Sequence, residues 1–437
     1  MSKIFLSIAL WMAFIYSVAQ QDSVKLPFSI ASEKKLDDED IAHKKEGTYV
    51  TAIPQLSSDP VNGFGYGAEG MLYFNGKKTD PLFNYSPYRA KLSLSLFNTT
   101  KSQNEIVLGL DLPYIFNSKW RVRIEGIYEN DPNMVYFGVT EKSLAHVTNP
   151  QTRVSYNNYD SYINSLAVND KNYNRYEEKN NVMLDLSAER SFFKSKMRAI
   201  IGFRYASMGI FTFSGNSLLQ NEYMSGKTLG VGRTTVSMLQ AGLVYDTRDL
   251  ESDPGKGVFA EVTDELSLQA LGSNYTFNKV FAQAKIYQRL FPSVFKKLVF
   301  SMRAGIAALN GNAPVYEYME EWGSEGGVYD VVGGRFVLRG YKQARFVANY
   351  LDFVNIELRA RFAQFVLVKQ HIALSAVPFF DVGGVGDKFS HLTYSTNYRY
   401  AEGLGLRIAW NVNTILRFDY AISKEDQQFF FQFGHSF

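Results

Sequence analysis

From Tyr49 to the last residue the chain alternates apolar and polar positions with a period of two, broken by turn-like and irregular stretches. Leu92, Leu94 and Leu96 alternate with Lys91, Ser93 and Ser95, and Ile106, Leu108, Leu110 and Leu112 with Gly109 and Asp111. Val182, Leu184, Leu186 and Ala188 alternate with Asp185, Ser187 and Glu189. Near the end, Leu404, Leu406, Ile408 and Trp410 oppose Gly403, Gly405, Arg407 and Asn411, while Leu416, Phe418 and Tyr420 oppose Arg417 and Asp419. Side chains on a strand point alternately to its two faces, so each segment has one apolar and one polar face. Segments of about ten residues, with a Leu- and Ile-rich face and aromatics near their ends, fit strands that cross a bilayer, apolar face on lipid and polar face on the lumen. A soluble sandwich would turn its polar face outward on shorter strands. An open edge in hydrocarbon leaves backbone groups unpaired, so such a sheet has to close.

The pattern predicts an all-β, 16-stranded antiparallel transmembrane barrel over residues 49–437. Strands are expected to begin near Tyr49, Phe64, Pro87, Asn104, Lys119, Glu177, Lys196 and Thr234, and then near Gly257, Tyr275, Lys297, Asn349, Gln370, Arg399, Thr414 and Gln427. With the N-terminus in the periplasm, the long irregular segments from Asp131 to Arg175 and from Leu309 to Ala348 fall outside the cell. The short connections at Phe192 and Asn411 fall on the periplasmic side, an asymmetry usual for such barrels.

Composition narrows the setting. In 437 residues there is no Cys, which excludes a disulfide framework, Cys-based metal sites and a lipid-modified N-terminal Cys. A net charge of +3 on dispersed Lys and Arg gives no basic patch for nucleic acid. Lys3, the apolar run from Ile4 to Val18, and small residues at Ser17 and Ala19 predict a signal peptide over residues 1–19. Residues 20–48 contain the mixed-charge run EKKLDDEDIAHKKEG and are expected to form a polar periplasmic tail, with at most one short helix, unable to bury a core of its own.

Candidate chemistry concentrates in GGRFVLRGY, Gly333 to Tyr341. Phe336, Val337 and Leu338 surround a single Arg339 and the flexible Gly340, which points to a loop tip docked against something. Long irregular loops inside a compact fold are usually functional or disordered. FFDVGG from Phe379 ends the thirteenth strand, YDTRD from Tyr245 runs into the turn ESDPGKG, and GLGLRIAW from Gly403 precedes a terminal FGHSF. Together these motifs resemble the BamA/TamA-type family of sixteen-stranded outer-membrane barrels, also called the bacterial surface antigen family, with the two-partner-secretion transporters as relatives. The resemblance covers the barrel, most specifically its C-terminal half.

The resemblance implies localisation in the bacterial outer membrane, with membrane lipid around the barrel and other outer-membrane proteins as substrates or complex partners. It implies assistance to protein insertion or translocation there, or, as the alternative, an accessory subunit or narrow pore. It further implies that the sixth outer loop, with Arg339, Gly340 and Tyr341, folds into the lumen and that Arg339 contacts acidic wall residues. Asp381 matches the strand-thirteen motif and shares an inward face with Phe379 and Ser375; Glu357 lies on the polar face of strand twelve. A guanidinium fork suits carboxylates bidentately and is costly unpaired, so Arg339 is expected to pair with Asp381 and with Glu357.

The last strand is expected to run from Gln427 to Phe437 with Phe429, Phe431, Phe433 and Phe437 on one face, Phe437 resembling a terminal assembly signal or serving as an interfacial anchor. Residues 20–48 are too few for the periplasmic polypeptide-transport-associated domains that the family carries before its barrel. No enzyme motif is present: the five His have no metal-ligand spacing, no GxSxG occurs, and His435 and Ser436 point to opposite faces of a strand. No cofactor and no metal are expected. Between divalent-cation binding and a solvated acidic face, the acidic residues from Glu317 to Asp330, with Glu320, Glu321 and Glu325 among them, read as the solvated face, and Tyr156 to Tyr176 as an exposed contact surface.

Overall fold

A computed structural model describes residues 25–59, 62–166, 170–325, 328–368, 370–411 and 413–437. The expected signal peptide lies outside the described residues. Alternation dictates the main element, a single antiparallel sheet of sixteen strands in which every strand pairs with its sequence neighbours. β1 spans Thr48–Asp59, β2 Gly63–Phe74, β3 Ala90–Thr99 and β4 Asn104–Leu112. β5 spans Trp120–Val135, β6 Arg175–Phe192, β7 Met197–Thr212 and β8 Gly232–Asp246. β9 spans Gly257–Ser267, β10 Phe277–Arg289, β11 Leu298–Gly311 and β12 Tyr350–Leu367. β13 spans Gln370–Gly386, β14 Tyr398–Trp410, β15 Thr414–Ser423 and β16 Gln427–Phe433. Each begins within three residues of its expected start.

The two faces sort as the alternation requires. Leu96, Leu108, Leu184, Leu243 and Leu404 are exposed on the outside, whereas Asp111, Arg204, Glu265, Arg303 and Glu357 are buried within. An outer face this apolar is stable only against lipid. Among the described residues no helix is long and apolar enough to cross a membrane, so the strands make the crossing.

The lumen is packed. Val331, Val332, Val337, Leu338, Tyr341, Phe346 and Val347 of the segment between β11 and β12 form one buried cluster with Val236, Met238, Phe281 and Phe353 of the wall. At the same end the segment between β5 and β6 folds into a dome around Phe137, Tyr159 and Tyr162, with a small hairpin and the helix Tyr159–Ser165. That corrects the exposed surface expected over 156–176: Tyr159, Tyr162 and Tyr176 are each buried. A period-based reading misses this because the dome's apolar residues follow no regular repeat.

At the opposite end, where the turns are short, residues 25–47 cross the barrel mouth as a strap. Its backbone bonds to two turns, Ala31 N to Lys194 O at 2.8 Å and Leu36 N to Asn84 O at 2.9 Å. Leu36 and Ile41 pack on Leu250, and Lys34 reaches Asp246 at 3.0 Å. The strap holds one short helix, Asp38–His43. It has no core of its own and borrows the barrel's.

Candidate functional site

The sixth loop enters the lumen because two glycines let it turn where a Cβ would collide. Gly340 has φ +93°, and a Cβ there would meet Ser423 N at 3.2 Å; its carbonyl accepts from Ser423 Oγ at 2.6 Å. Gly333 has φ +115°, and a Cβ would lie 2.5 Å from Lys342 O. Both values fall where L side chains are strained. Tyr341, after the turn, is buried edge-on against Phe346, ring centroids 5.0 Å apart.

Arg339 is fully buried and grips three carboxylates. Its Nε and Nη2 form a fork onto Asp381 at 2.8 and 2.9 Å, and Nη1 reaches Glu357 Oε1 at 2.9 Å and Asp419 Oδ2 at 2.8 Å. The guanidinium plane stacks on Phe379, 3.5 Å from its ring centroid. Burial works against the charge, and attraction to Asp381 first, then to Asp419 and Glu357, outweighs it. The structure therefore brings Arg339, Gly340, Asp381 and Glu357 together at one point of β12, β13 and β15.

Sequence reasoning missed the rest of this cluster. Asp419 accepts from Arg339 and from Arg407 on β14; Glu357 accepts from Arg407 at 3.1 Å and from Arg359 at 2.9 Å. Asn355 donates to Asp381 Oδ1 and to Val337 O, 2.7 Å each, while its own oxygen accepts from Arg303. All of these lie on polar faces legible in the sequence. The usable signal was stoichiometric: a guanidinium carries five donors, so one carboxylate cannot satisfy it when buried.

The acidic residues of the loop are not a solvated face. Glu317 pairs with Lys279 at 3.3 Å, Glu320 with Arg204, and Glu325 with Arg248 and Lys285. Desolvation explains the pairing: carboxylates carried into the lumen have to find cations. Glu321 finds only a shared one; burial first, then Glu265, Glu317 and Glu320, push its carboxyl up to about 8 against the pull of Lys279. A second arginine of the loop, Arg345, ties it to the β15–β16 turn through Glu425 at 2.6 Å and to the dome through the carbonyls of Ser143 and Ala145. No group of His, Asp and Glu among the described residues is placed to hold a metal ion.

The C-terminal expectation needs correction. β16 ends at Phe433, and the chain turns inward at Gly434, φ +77°. Phe437 does not share an outer face with Phe429; it is buried in the lumen between Arg303 and Arg359, whose guanidinium carbons lie 5.3 and 5.2 Å from its ring. Arg359 Nη2 donates to Phe437 O at 2.7 Å, and Ser436 Oγ donates to Phe336 O of the sixth loop at 3.1 Å. Cation–π contact and a buried arginine row on β11 and β12 outweigh an aromatic anchor at the membrane surface.

This inward turn leaves a seam. Among the described residues β1 and β16 are the two ends of the sheet, with no ladder between them. Beyond Phe433 β1 faces β15 directly, with Thr51 Oγ1 3.5 Å from Thr414 Oγ1, and Asn413, in the turn before β15, bonds Tyr49 OH of β1 at 2.6 Å and accepts from Tyr73 OH of β2 at 3.2 Å. Pro54 in β1 lacks an N–H, a residue that sheets tolerate at edges.

Two family models match the chain. Residues 26–89 match a domain of unknown function, DUF5982, and residues 120–437 match the Omp85 superfamily domain. Among solved structures, CdiB from Escherichia coli has a TM-score of 0.54 at 12% identity, covering 88% of this chain and 62% of that one. BamA from Haemophilus ducreyi lacking POTRA domains 1–3 has a TM-score of 0.49 at 15% identity, covering 89% of this chain and 70% of that one. No curated protein matches the sequence. The Omp85 model accounts for all but the first four strands, and in keeping with its sixteen-stranded sheet and lipid-facing outer surface this chain belongs to the Omp85 superfamily and resides in the outer membrane.

Proposed function

We propose that this barrel assists the insertion or translocation of polypeptides at the outer membrane, with the seam between β1 and β16 as the working part. The unpaired edge supports that reading. A strand edge presents a row of N–H and C=O groups that template pairing with another chain, and most proteins hide it. In a bilayer the cost of leaving it unpaired is several kcal/mol per group, so an edge held only by a few side chains is poised to accept a strand. The packed lumen, closed by the sixth loop and the strap, disfavours the alternative of an open pore. The Arg339 cluster keeps that loop seated while the seam opens, and the strap is a mouth cover rather than a free tail.

Depletion of the protein followed by quantification of the outer-membrane proteome tests this function. A selective fall in one or more outer-membrane proteins, with their precursors accumulating unfolded, is expected. An unchanged proteome would leave an accessory structural role.

A further inference from the structure

A cavity of about 350 Å³ lies in the short-turn half of the lumen, beneath the tip of the sixth loop at Phe336 and beside the seam. It has room for about ten waters at about 30 Å³ each. Beside the seam its lining mixes the apolar Met71, Ile415 and Phe433 with the polar Tyr73, Asn413 and Thr414. It also carries Lys91, Arg121, Arg123, Arg198, Arg248 and Lys285, with Asp111, Glu251 and Glu325 among them.

Most of these cations are already committed. Arg121 forks onto Asp111 at 2.8 and 2.6 Å and reaches Glu251 at 3.0 Å. Arg123 and Arg198 turn to Glu189, and Arg248 and Lys285 share Glu325. Lys91 is the exception. It stands opposite Asp111 in the β3–β4 ladder, but Asp111 is taken by Arg121 and by Tyr88 OH at 2.8 Å. Among the described residues Lys91 Nζ makes no hydrogen bond and no close ion pair; it lies 5.7 Å from the Tyr88 ring and feels Asp111 and Glu69 electrostatically.

We propose that this chamber is a phosphate-binding site, with Lys91 as the residue that meets the anion beside the carboxylate-paired arginines. A phosphate offers several acceptor oxygens to an ammonium and to guanidinium N–H groups at once, which a halide does not. The position beside the seam admits two carriers of the phosphate, a soluble phosphate compound or the headgroup of an anionic phospholipid whose tails stay in the bilayer.

The test uses the full chain carrying wild-type Lys91, Lys91→Gln or the exposed control Lys227→Gln, each checked for heat-modifiable folding. In detergent, pyrophosphate is titrated calorimetrically at ionic strength held constant with chloride. In parallel, barrels from nanodiscs of phosphatidylglycerol or phosphatidylcholine are delipidated and the retained lipid is counted by native mass spectrometry. The expected result is saturable pyrophosphate binding, retained phosphatidylglycerol, or both, weakened about tenfold in Lys91→Gln, the worth of one charge-assisted hydrogen bond, and unchanged in Lys227→Gln. Pyrophosphate binding alone assigns a soluble carrier, and lipid retention alone assigns the headgroup. Failure of both arms, or equal binding by Lys91→Gln and wild type, overturns the site.

Discussion

Arg339 holds more of the loop's charge balance than any single partner does. Removing one member of a buried pair costs about 3–5 kcal/mol when it leaves an uncompensated charge. Arg339→Ala strands Asp381, whereas Glu357 and Asp419 keep Arg407 and Glu357 also keeps Arg359. Asp381→Ala leaves Arg339 with two carboxylates. Arg339→Ala is therefore expected to lower the heat-modification midpoint more than Asp381→Ala, and the double variant to fall short of the sum, because the two changes break one contact. Arg339→Lys should recover little, since an ammonium cannot reproduce the fork or the stack on Phe379. Additive losses, or full rescue by Lys, would show that the cluster is not organised around this guanidinium.

Among the elements, the sixth loop carries a pH dependence of stated sign. The carboxyl of Glu321 sits at about 8 in the folded loop against an ordinary value of 4.5, so the folded state holds a proton that the unfolded chain has released. Its contribution is fully present below about 4.5 and lost as pH rises to about 8, after which it no longer changes. Between pH 5 and 8 the wild type should lose protection of the loop against proteolysis that Glu321→Gln retains, with parallel curves above pH 8. Curves parallel throughout would mean that Glu321 is ionised in its seat. Strands proved far more legible than loops. Period two marks a strand wherever one face meets lipid, and so Leu92–Leu96 or Leu404–Ile408 declared themselves. It also continued β16 through Phe437, because Gly434 breaks no alternation on paper. Only the arginines of β11 and β12, distant in sequence, draw Phe437 inward. The acidic loop failed for a related reason: a run of Glu looks solvated until Lys279, Arg204 and Arg248 are known to face it. Arg339 with Asp381 was reachable through the resemblance, which sets the loop's arginine against an acid of the strand-thirteen motif; Asp419 depended on the register of β15, which alternation does not supply.

At the scale of the molecule, the two ends differ in kind. One is a folded dome with the sixth loop beneath it, and the other is a set of mostly short turns crossed by the strap. If the dome faces the cell exterior, an epitope inserted at Asn157 or Asn312 is labelled on intact cells, and one at Ser293, on the tip of the β10–β11 turn, is labelled only after the outer membrane is breached. The reverse pattern would invert the barrel.

If the seam is the working part it must open, and the absence of native cysteine lets a single disulfide hold it shut. Thr51 on β1 and Thr414 on β15 face each other with Oγ1 atoms 3.5 Å apart, so Thr51→Cys with Thr414→Cys offers a disulfide across the gap. The measurement is the outer-membrane proteome of cells whose only copy is the double variant, under oxidising and reducing conditions. Oxidation is expected to reproduce the depletion phenotype, reductant to reverse it, and each single variant to support a normal proteome. A fully crosslinked barrel that still sustains a normal proteome would contradict a working seam.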